Sequence, residues 1–410
     1  MPNLKGNIAV IGGGLSGKML ALTLAHSGFD ITMIAPLPKA KKRADRRTTT
    51  IHHAGANMLE ALGVSPYLQG DMTAITKIAV AIGTEKTRQS DWLLQWQSPK
   101  GGDDSLIPMA YVVENYDLSV ALDKALDDLP DTQKITVIDD HVISYQEDGN
   151  GGHIETSSGA HLTADLIVAC DGAKSPMRDF IGLSPRIETT NQTAIIADLT
   201  CELPHDGAAY QRFLPTGPIA LMPMAGKMVS LVWSTSHEMA DKLLTADAQT
   251  CSDAITEAFG HELGRLTPQG ALSSFPLHPQ FNAKLFKGRV ILAGDAAHAI
   301  HPLAGMGYNL ALADAAILLD ILQNARRQGL MPSHASIMTS YQARRKAEIF
   351  AISHFTSELN KLISRPKGPL SQMMAFGMAV LDKSPLKSTF RKIAMGGTLS
   401  SAPLFKGKLS

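Results

Sequence analysis

A short β-branched run, Asn7–Ile11, passes directly into Gly12, Gly13, Gly14, Leu15, Ser16 and Gly17, and then into Lys18–His26, whose apolar residues recur at helical spacing. Gly28 closes that helix, and Phe29–Ile34 reads as a second buried strand. This strand, glycine turn, helix and strand make a βαβ unit, which implies a parallel sheet covered by helices. Gly12, Gly14 and Gly17 fit the GxGxxG pattern. The first glycine permits the tight turn, the second lets backbone approach a pyrophosphate, and the third lets the helix pack close to the strand. Free N–H groups of the first helical turn then face the phosphates. A dinucleotide is the expected ligand. One part of the fingerprint is missing: the acidic residue that usually ends the second strand is replaced by Ala35, followed by Pro36. The ribose must therefore be held from elsewhere, or more weakly.

At 410 residues the chain is long enough for two or three domains. After the opening unit, Ile51–Leu62 reads as helix, Ile75–Gly83 as strand, and the region from Trp92 to Asp104 as irregular. Leu118–Leu129 reads as an amphipathic helix and Lys134–Ile138 as a strand. The turn Asp148–Gly152 joins strands around His141–Tyr145 and His153–Thr156, and Leu162–Ala169 reads as one apolar strand. From Pro185 to Phe275 the pattern changes to successive antiparallel strands, Ala194–Leu199, Tyr210–Phe213, Ile219–Pro223 and Met228–Trp233, with one helix near Cys251–Phe259. Alternation of strand and helix resumes at Arg289–Ala293 and ends in a long helix, Gly307–Gln323. The expected fold is α/β: a Rossmann-like nucleotide-binding domain of discontinuous segments (residues 1–75, 105–185 and 276–330), an inserted β-rich substrate domain (76–104 and 186–275), and a C-terminal helical region (331–410).

Charge and cysteine content exclude several classes. Lysine plus arginine (38) equals aspartate plus glutamate (38), which argues against a nucleic-acid partner. Cys170, Cys201 and Cys251 are widely spaced and suit a reducing cytosol, and a strand beginning at Asn7 leaves no room for a leader, so a cytoplasmic chain is expected. The longest apolar run, Met373–Leu381, is half a membrane span. From Tyr341 onward, however, twelve basic residues accompany three acidic ones. Interleaved with Phe350, Phe355, Met373, Met374 and Phe376, they could rest on the inner face of an anionic membrane or form a solvated helical face.

Two later motifs identify the dinucleotide. The first is DGxxSxxR, formed by Asp171, Gly172, Ser175 and Arg178 after the strand that ends at Ala169. The second is GDAAHxxHPxxGxGxN, running from Gly294 through Asp295, His298, His301, Pro302, Gly305 and Gly307 to Asn309. A carboxylate at a strand end, Asp295, suits a ribityl hydroxyl. Gly305 and Gly307 open the following helix, whose N–H groups can stabilise negative charge on a reduced flavin.

In these three motifs, in their order and spacing, the chain resembles the FAD-dependent aromatic hydroxylases with the p-hydroxybenzoate hydroxylase fold over nearly its whole length. Within them it is most similar to the ubiquinone-biosynthesis branch, on the runs Asp45–Thr48, Val113–Asn115, Arg212–Phe213 with Gly217–Pro218, Ser230–Trp233 and Phe275–Leu277. Met306 and Tyr308 depart from it, standing where the family often has glutamine and leucine. The resemblance implies that NAD(P)H reduces FAD, that O2 adds at flavin C4a, and that the resulting hydroperoxide hydroxylates an electron-rich phenol, here a polyprenylated one. It implies cofactor contacts from Gly12, Gly14, Gly17, Arg47, Asp171, Gly172, Asp295, Gly305, Gly307 and Asn309. Leu221, Trp233, His301 and Pro302 are the expected substrate contacts. Other quinone-biosynthesis proteins are possible partners. Because the cofactor carries the hard step, no side chain is singled out as catalytic base.

His298 and His301, three residues apart, have no carboxylate or thiol cluster beside them, and no metal is expected. Lys39, Lys41, Lys42 and Arg43 could attract the phosphates of a nicotinamide dinucleotide or form a solvated loop. Two other readings stay open on sequence: a hydroxylase of a small soluble phenol, and a non-catalytic lipid-binding subunit that has lost productive FAD binding, to which Ala35 lends weight.

Overall fold

The computed structural model describes residues 6–36, 46–83, 92–102, 104–303, 305–363, 384, 388, 391–392, 395–396 and 402–409. Lys39, Lys41, Lys42, Arg43 and the run Met373–Leu381 lie outside the described residues. The glycine-motif strand Asn7–Ile11 occupies the interior of a sheet, parallel to Leu166–Ala169 on one side and Asp30–Ile34 on the other. Val290–Leu292 and Thr136–Ile138 extend it in parallel, and Phe286–Lys287 closes one edge antiparallel. All four residues of Leu166–Ala169 are buried, as continuous apolar runs are when helices cover both faces. The helices Leu15–Leu24, Asn115–Asp127 and Met306–Arg327 pack together, and their apolar residues share one large core with this sheet.

A second, mostly antiparallel sheet runs in the order Leu266–Pro268, Gln192–Cys201, Met228–Ser236, Gly217–Pro223, Ala208–Leu214, Lys77–Ile82, Leu94–Gln97, with Ser273–Pro276 also paired to Gln192–Cys201. Strand alternation divides its residues between two faces. Ile195, Leu199, Tyr210, Ile219, Leu221, Leu231 and Trp233 form a core with the helices His237–Thr245 and Ala248–Phe259. The opposite face carries Ala209, Phe213 and Met222. Between the two large sheets lies a third, of Thr48–His52, Ala110–Glu114 and Met72–Ile75. It bridges them because neighbours along one strand point apart: Val113 joins the main core, whereas Ala110 and Val112 pack with Ala209 and Met222.

Local expectations need several corrections, among them that Ile75–Gly83 divides between the strands Met72–Ile75 and Lys77–Ile82 of different sheets. Ile51 and His52 end the strand Thr48–His52, and the helix begins only at His53, where the His52 ring accepts the Gly55 N–H as its cap. The stretch after Trp92 contains the strand Leu94–Gln97. Leu162–Ala169 is two strands in different sheets, broken at Asp165. The helix His237–Thr245, capped by Ser236, and the strand Ala110–Glu114 were not anticipated. The C-terminal region is also less of an appendage than its charge suggests. Within Ala335–Ile363, Tyr341, Arg345 and Ile349 are buried, and the terminal Ala402, Leu404 and Phe405 enter the main core. Asn57 Nδ2 donates to Phe405 O, and the Phe405 ring packs 5.7 Å from His52. No described helix is long and apolar enough to cross a membrane.

Candidate functional site

The three motifs come together at glycines of the first and third, where a side chain would block the close approach of backbone. Gly12 has φ +116°, and a Cβ there would lie 2.4 Å from Cys170 O, so the first glycine turn abuts the strand end that carries Asp171. A Cβ on Gly17 would lie 1.9 Å from Gly12 O, which explains why the third glycine cannot be larger. Gly294, at φ +56°, sets the turn before Asp295 against Ser16 of the first helix. The start of Met306–Arg327 is held similarly: Gly305 has φ +61°, and its missing Cβ makes room for Thr50.

The DGxxSxxR motif is a small capping device. Ser175 Oγ accepts the Arg178 N–H, and Asp171 Oδ2 accepts the Met177 N–H at 3.0 Å. The buried Arg178 donates to Ala173 O at 3.0 Å and to Ala296 O at 3.2 Å, tying this turn to the one that carries Asp295. The second Asp171 oxygen, Oδ1, is buried and has no partner, and burial raises the pKa of this carboxyl. Asp295 is exposed, yet protein packs closely around it. That enclosure raises its pKa, opposed by the nearby charges of His298 and Arg47. Arg47 itself is exposed at the chain's entry to Thr48–His52, with its guanidinium carbon 5.3 Å from the centre of the Phe275 ring.

Behind the Asp295 turn lies a buried ionic cluster. Asp314 Oδ2 accepts Gly294 N–H at 2.8 Å and lies 2.7 Å from His298 Nε2, while Oδ1 accepts Arg345 Nε at 2.7 Å. Arg345 also pairs with Glu348 and donates to Leu310 O. Burial alone would push the Asp314 carboxyl up, but His298, Arg345 and the hydrogen bonds outweigh it and hold it at about 2. Asp314 was not singled out from the sequence. Its signal was there, a lone carboxylate inside the apolar helical stretch Leu310–Leu319, which demands a buried partner.

These surroundings fit FAD. A Cβ placed on Gly14, Gly172 or Gly307 would meet no atom within 4 Å, so the backbone at all three motifs is open to a ligand. The helix Leu15–Leu24 has no side-chain cap, leaving its first N–H groups for phosphate. Asp171 Oδ1 is an orphan acceptor, and Asp295 stands exposed between the motifs. Ala35, by contrast, is buried, and its methyl occupies the space a Cβ on Gly13 would need. The Asn309 side chain is engaged with protein: it donates to Thr50 O and Gly305 O and accepts His52 N–H. It holds the third motif against the strand Thr48–His52.

Two of the expected substrate contacts are corrected. Leu221 and Trp233 lie on the helix-covered face of the second sheet, 0% and 3% exposed, in that domain's own core. Alternation reveals that such a strand has two faces but not which face meets the other domain. The face turned toward the glycine motifs bears Phe213, which packs with Leu303, Val80, Ile82 and Leu359, and Ser230, whose Oγ is hydrogen bonded to Thr48. Arg212, next to Phe213, points the other way and is enclosed by the Trp92 and Phe259 rings. His301 is buried beside Leu303, with Pro302 half-exposed between them. Among the described residues, no group of histidine, cysteine, aspartate and glutamate could hold a metal ion.

Comparison with known proteins agrees with this geometry. Residues 5–356 match the family of FAD binding domains, and the chain belongs to these FAD-dependent flavoprotein monooxygenases. It is 32% identical over 401 residues to the ubiquinone hydroxylase UbiL of Rhodospirillum rubrum, covering 97% of this chain and 91% of that one. It is 30% identical over 407 residues to 3-demethoxyubiquinol 3-hydroxylase of Escherichia coli, covering 97% and 100%. Its branch is therefore that of the ubiquinone-biosynthesis hydroxylases. Among solved structures, p-nitrophenol 4-monooxygenase of Pseudomonas putida superposes with a TM-score of 0.76 at 18% identity, covering 97% of this chain and 98% of that one. HpxO of Klebsiella pneumoniae, complexed with FAD and uric acid, superposes at 0.72 and 17%, covering 96% and 98%. The fold is shared with both.

Proposed function

We propose that this flavoprotein hydroxylates the ring of a polyprenylated phenol, taking electrons from NAD(P)H and one oxygen atom from O2. FAD, when bound, supplies the chemistry that accepts hydride and activates oxygen. The protein's part is to hold it and to keep the reacting ring dry. Gly12, Gly14, Gly17 and the first helical turn receive the pyrophosphate; Asp295 takes a ribityl hydroxyl. Asp171, Gly172 and Arg47 flank them, and Gly305, Gly307 and Asn309 present the N-terminus of Met306–Arg327 to the flavin ring.

The observation that carries the substrate class is the direction of Arg212. An aromatic acid would need a cation to hold its carboxylate. In the strands Ala208–Leu214, Gly217–Pro223 and Met228–Ser236 the one formal cation is Arg212, and it faces the helical core, away from Phe213 and Leu303. The face left toward the flavin motifs carries no charge on these strands, with Ala209, Phe213 and Met222 beside the neutral Gln211, Ser230 and Ser234, which favours an uncharged phenol with a hydrocarbon tail. The test is NAD(P)H oxidation stimulated by phenols carrying zero to about four isoprene units, each CH2-sized group enclosed adding about 0.8 kcal/mol. Efficiency should climb with the first units and then level. A preference for an unprenylated acid would replace this reading with that of a small-phenol hydroxylase.

Such a substrate resides in lipid, so we also propose peripheral contact with the inner membrane face through the basic C-terminal region, beside other quinone-biosynthesis proteins. Arg345 does not contribute, being buried on Asp314, while Arg344 pairs with Asp320 and Lys361 with Glu188 and Glu358. Sedimentation with anionic vesicles that weakens at high salt is the expected behaviour. Equal sedimentation with neutral and anionic vesicles would refute an electrostatic contact.

A further inference from the structure

Three elements meet at His301. Gln192 opens the strand Gln192–Cys201, Asn360 lies in the last turn of Ala335–Ile363, and His301 sits in the loop between His298–Ala299 and Met306–Arg327. All three side chains are at least nine-tenths buried. Gln192 Nε2 donates to Thr216 O at 3.2 Å, which orients the amide and leaves Oε1 as an acceptor. That oxygen accepts Asn360 Nδ2 at 2.9 Å and lies 3.2 Å from His301 Nε2.

These contacts assign the protons. Because Oε1 can only accept, the His301 hydrogen belongs on Nε2, and the Asn360 amide must keep its nitrogen toward Gln192. Turning Asn360 over would set two oxygens against each other. What remains is a surplus of acceptors: His301 Nδ1 and Asn360 Oδ1 are both enclosed by protein, and neither has a partner. Burial holds the imidazole neutral down to about pH 4, against a smaller opposite pull from the Glu188 charge, so Nδ1 keeps its lone pair at ordinary pH. Buried polar atoms of this kind are nearly always satisfied, and leaving them unpaired is costly.

The surroundings say what kind of donor fits. Leu303, two residues after His301, and Leu359, adjacent to Asn360, belong to one apolar cluster with Phe213, Val80 and Ile82. An unpaired acceptor whose chain neighbours belong to an apolar cluster matches a hydroxyl carried on a hydrocarbon body. Resting on the reading of this chain as a phenol hydroxylase, we propose that His301 Nδ1, its tautomer fixed through Gln192 and Asn360, accepts the one phenolic proton of the substrate and selects a free phenol over its ether. The hydrogen bond orients the ring from the interdomain junction. It also draws the hydroxyl proton toward nitrogen, which enriches the ring in electrons without a full proton transfer.

The test compares a short-chain prenylphenol with its methyl ether, titrated calorimetrically into the FAD-loaded protein, in wild type, His301→Ala and Asn360→Leu. Wild type should bind the phenol roughly ten- to a hundredfold more tightly than the ether, because the ether leaves the buried His301 Nδ1 unpaired. Both variants should bring the two ligands to near parity while retaining FAD and the native circular dichroism spectrum. If one variant loses its fold or its flavin, the other decides alone. An undiminished preference for phenol in a folded variant, or no preference in wild type, overturns the proposal. Absence of hydroxylated product from wild type that still selects the phenol through these residues would sink the hydroxylase reading and leave this binding assignment standing.

Discussion

Replacing Asp314 by asparagine removes one charge from the buried cluster and changes its shape hardly at all. The carboxylate and the Arg345 guanidinium are both 0% exposed. Asp314 takes hydrogen bonds from Gly294 N and Arg345 Nε and pairs with His298 Nε2, all between 2.7 and 2.8 Å. Asparagine offers a single oxygen, and its NH2 must face a group that is itself a donor. Arg345 then keeps only Glu348 and Leu310 O. Breaking a buried pair by removing one partner costs about 3–5 kcal/mol, and because Glu348 still balances the guanidinium the lower end is expected. Against a total stability on the order of 5–15 kcal/mol that is a large fraction. Asp320→Asn is the matched control. Its pair with Arg344 is partly exposed, so about 0–1 kcal/mol should be lost. Equilibrium unfolding in urea of both variants, without and with FAD, measures the difference. Flavin affinity should also fall in Asp314→Asn, since Gly294 N holds the turn that presents Asp295. A loss below about 1 kcal/mol, or an equal loss in Asp320→Asn, would refute the argument that burial sets the magnitude.

Other consequences are open to direct measurement. Asp295→Ala should weaken FAD binding by about 1.5–3 kcal/mol, the range for hydrogen bonds to a charged group, and flavin fluorescence titration showing wild-type affinity would remove Asp295 from the site. Gly17→Ala places a methyl on Gly12 O and should yield protein without bound FAD; a normally yellow preparation would contradict this. His52 and His301 are each held by burial at about 4, below the ordinary 6.5. The unfolded chain takes up those protons first, so stability is full above pH 6.5 and falls as pH drops toward 4, by up to about 3 kcal/mol per histidine; a flat urea midpoint across that window would disprove it. Phe405→Ala empties a buried site against the helix His53–Ala61 and should cost about 3–5 kcal/mol in the same assay, whereas a dispensable tail would cost almost nothing.

What could be read without coordinates shares one property: it depends on neighbours in the chain. A tight turn needs Gly12 and a close helix needs Gly17, and both requirements act within six residues. The DGxxSxxR run is legible as a helix start because Ser175 and Asp171 cap the turn immediately after them. The apolar residues from Tyr210 to Trp233 likewise announce successive strands, whereas their burial on both sides is seen only in the structure.

Pairings across long separations were not legible. Alternation gives each strand two faces without relating one strand's faces to the next; only the register of Ala208–Leu214 on Gly217–Pro223 and the docking of the helices His237–Thr245 and Ala248–Phe259 decided that Leu221 belongs to a closed core and Phe213 to the interdomain junction. The C-terminal charge suggested a surface, yet Arg345 is taken inward by Asp314, thirty-one residues earlier. The surplus of acceptors at His301 depends on Gln192, 109 residues before it, and on Asn360 in the long C-terminal helix. By itself the sequence determined the backbone turns that a dinucleotide needs, because these are local conformational demands. Only the tertiary structure decided which polar atoms are left without partners, because that balance depends on every group brought together from distant parts of the chain.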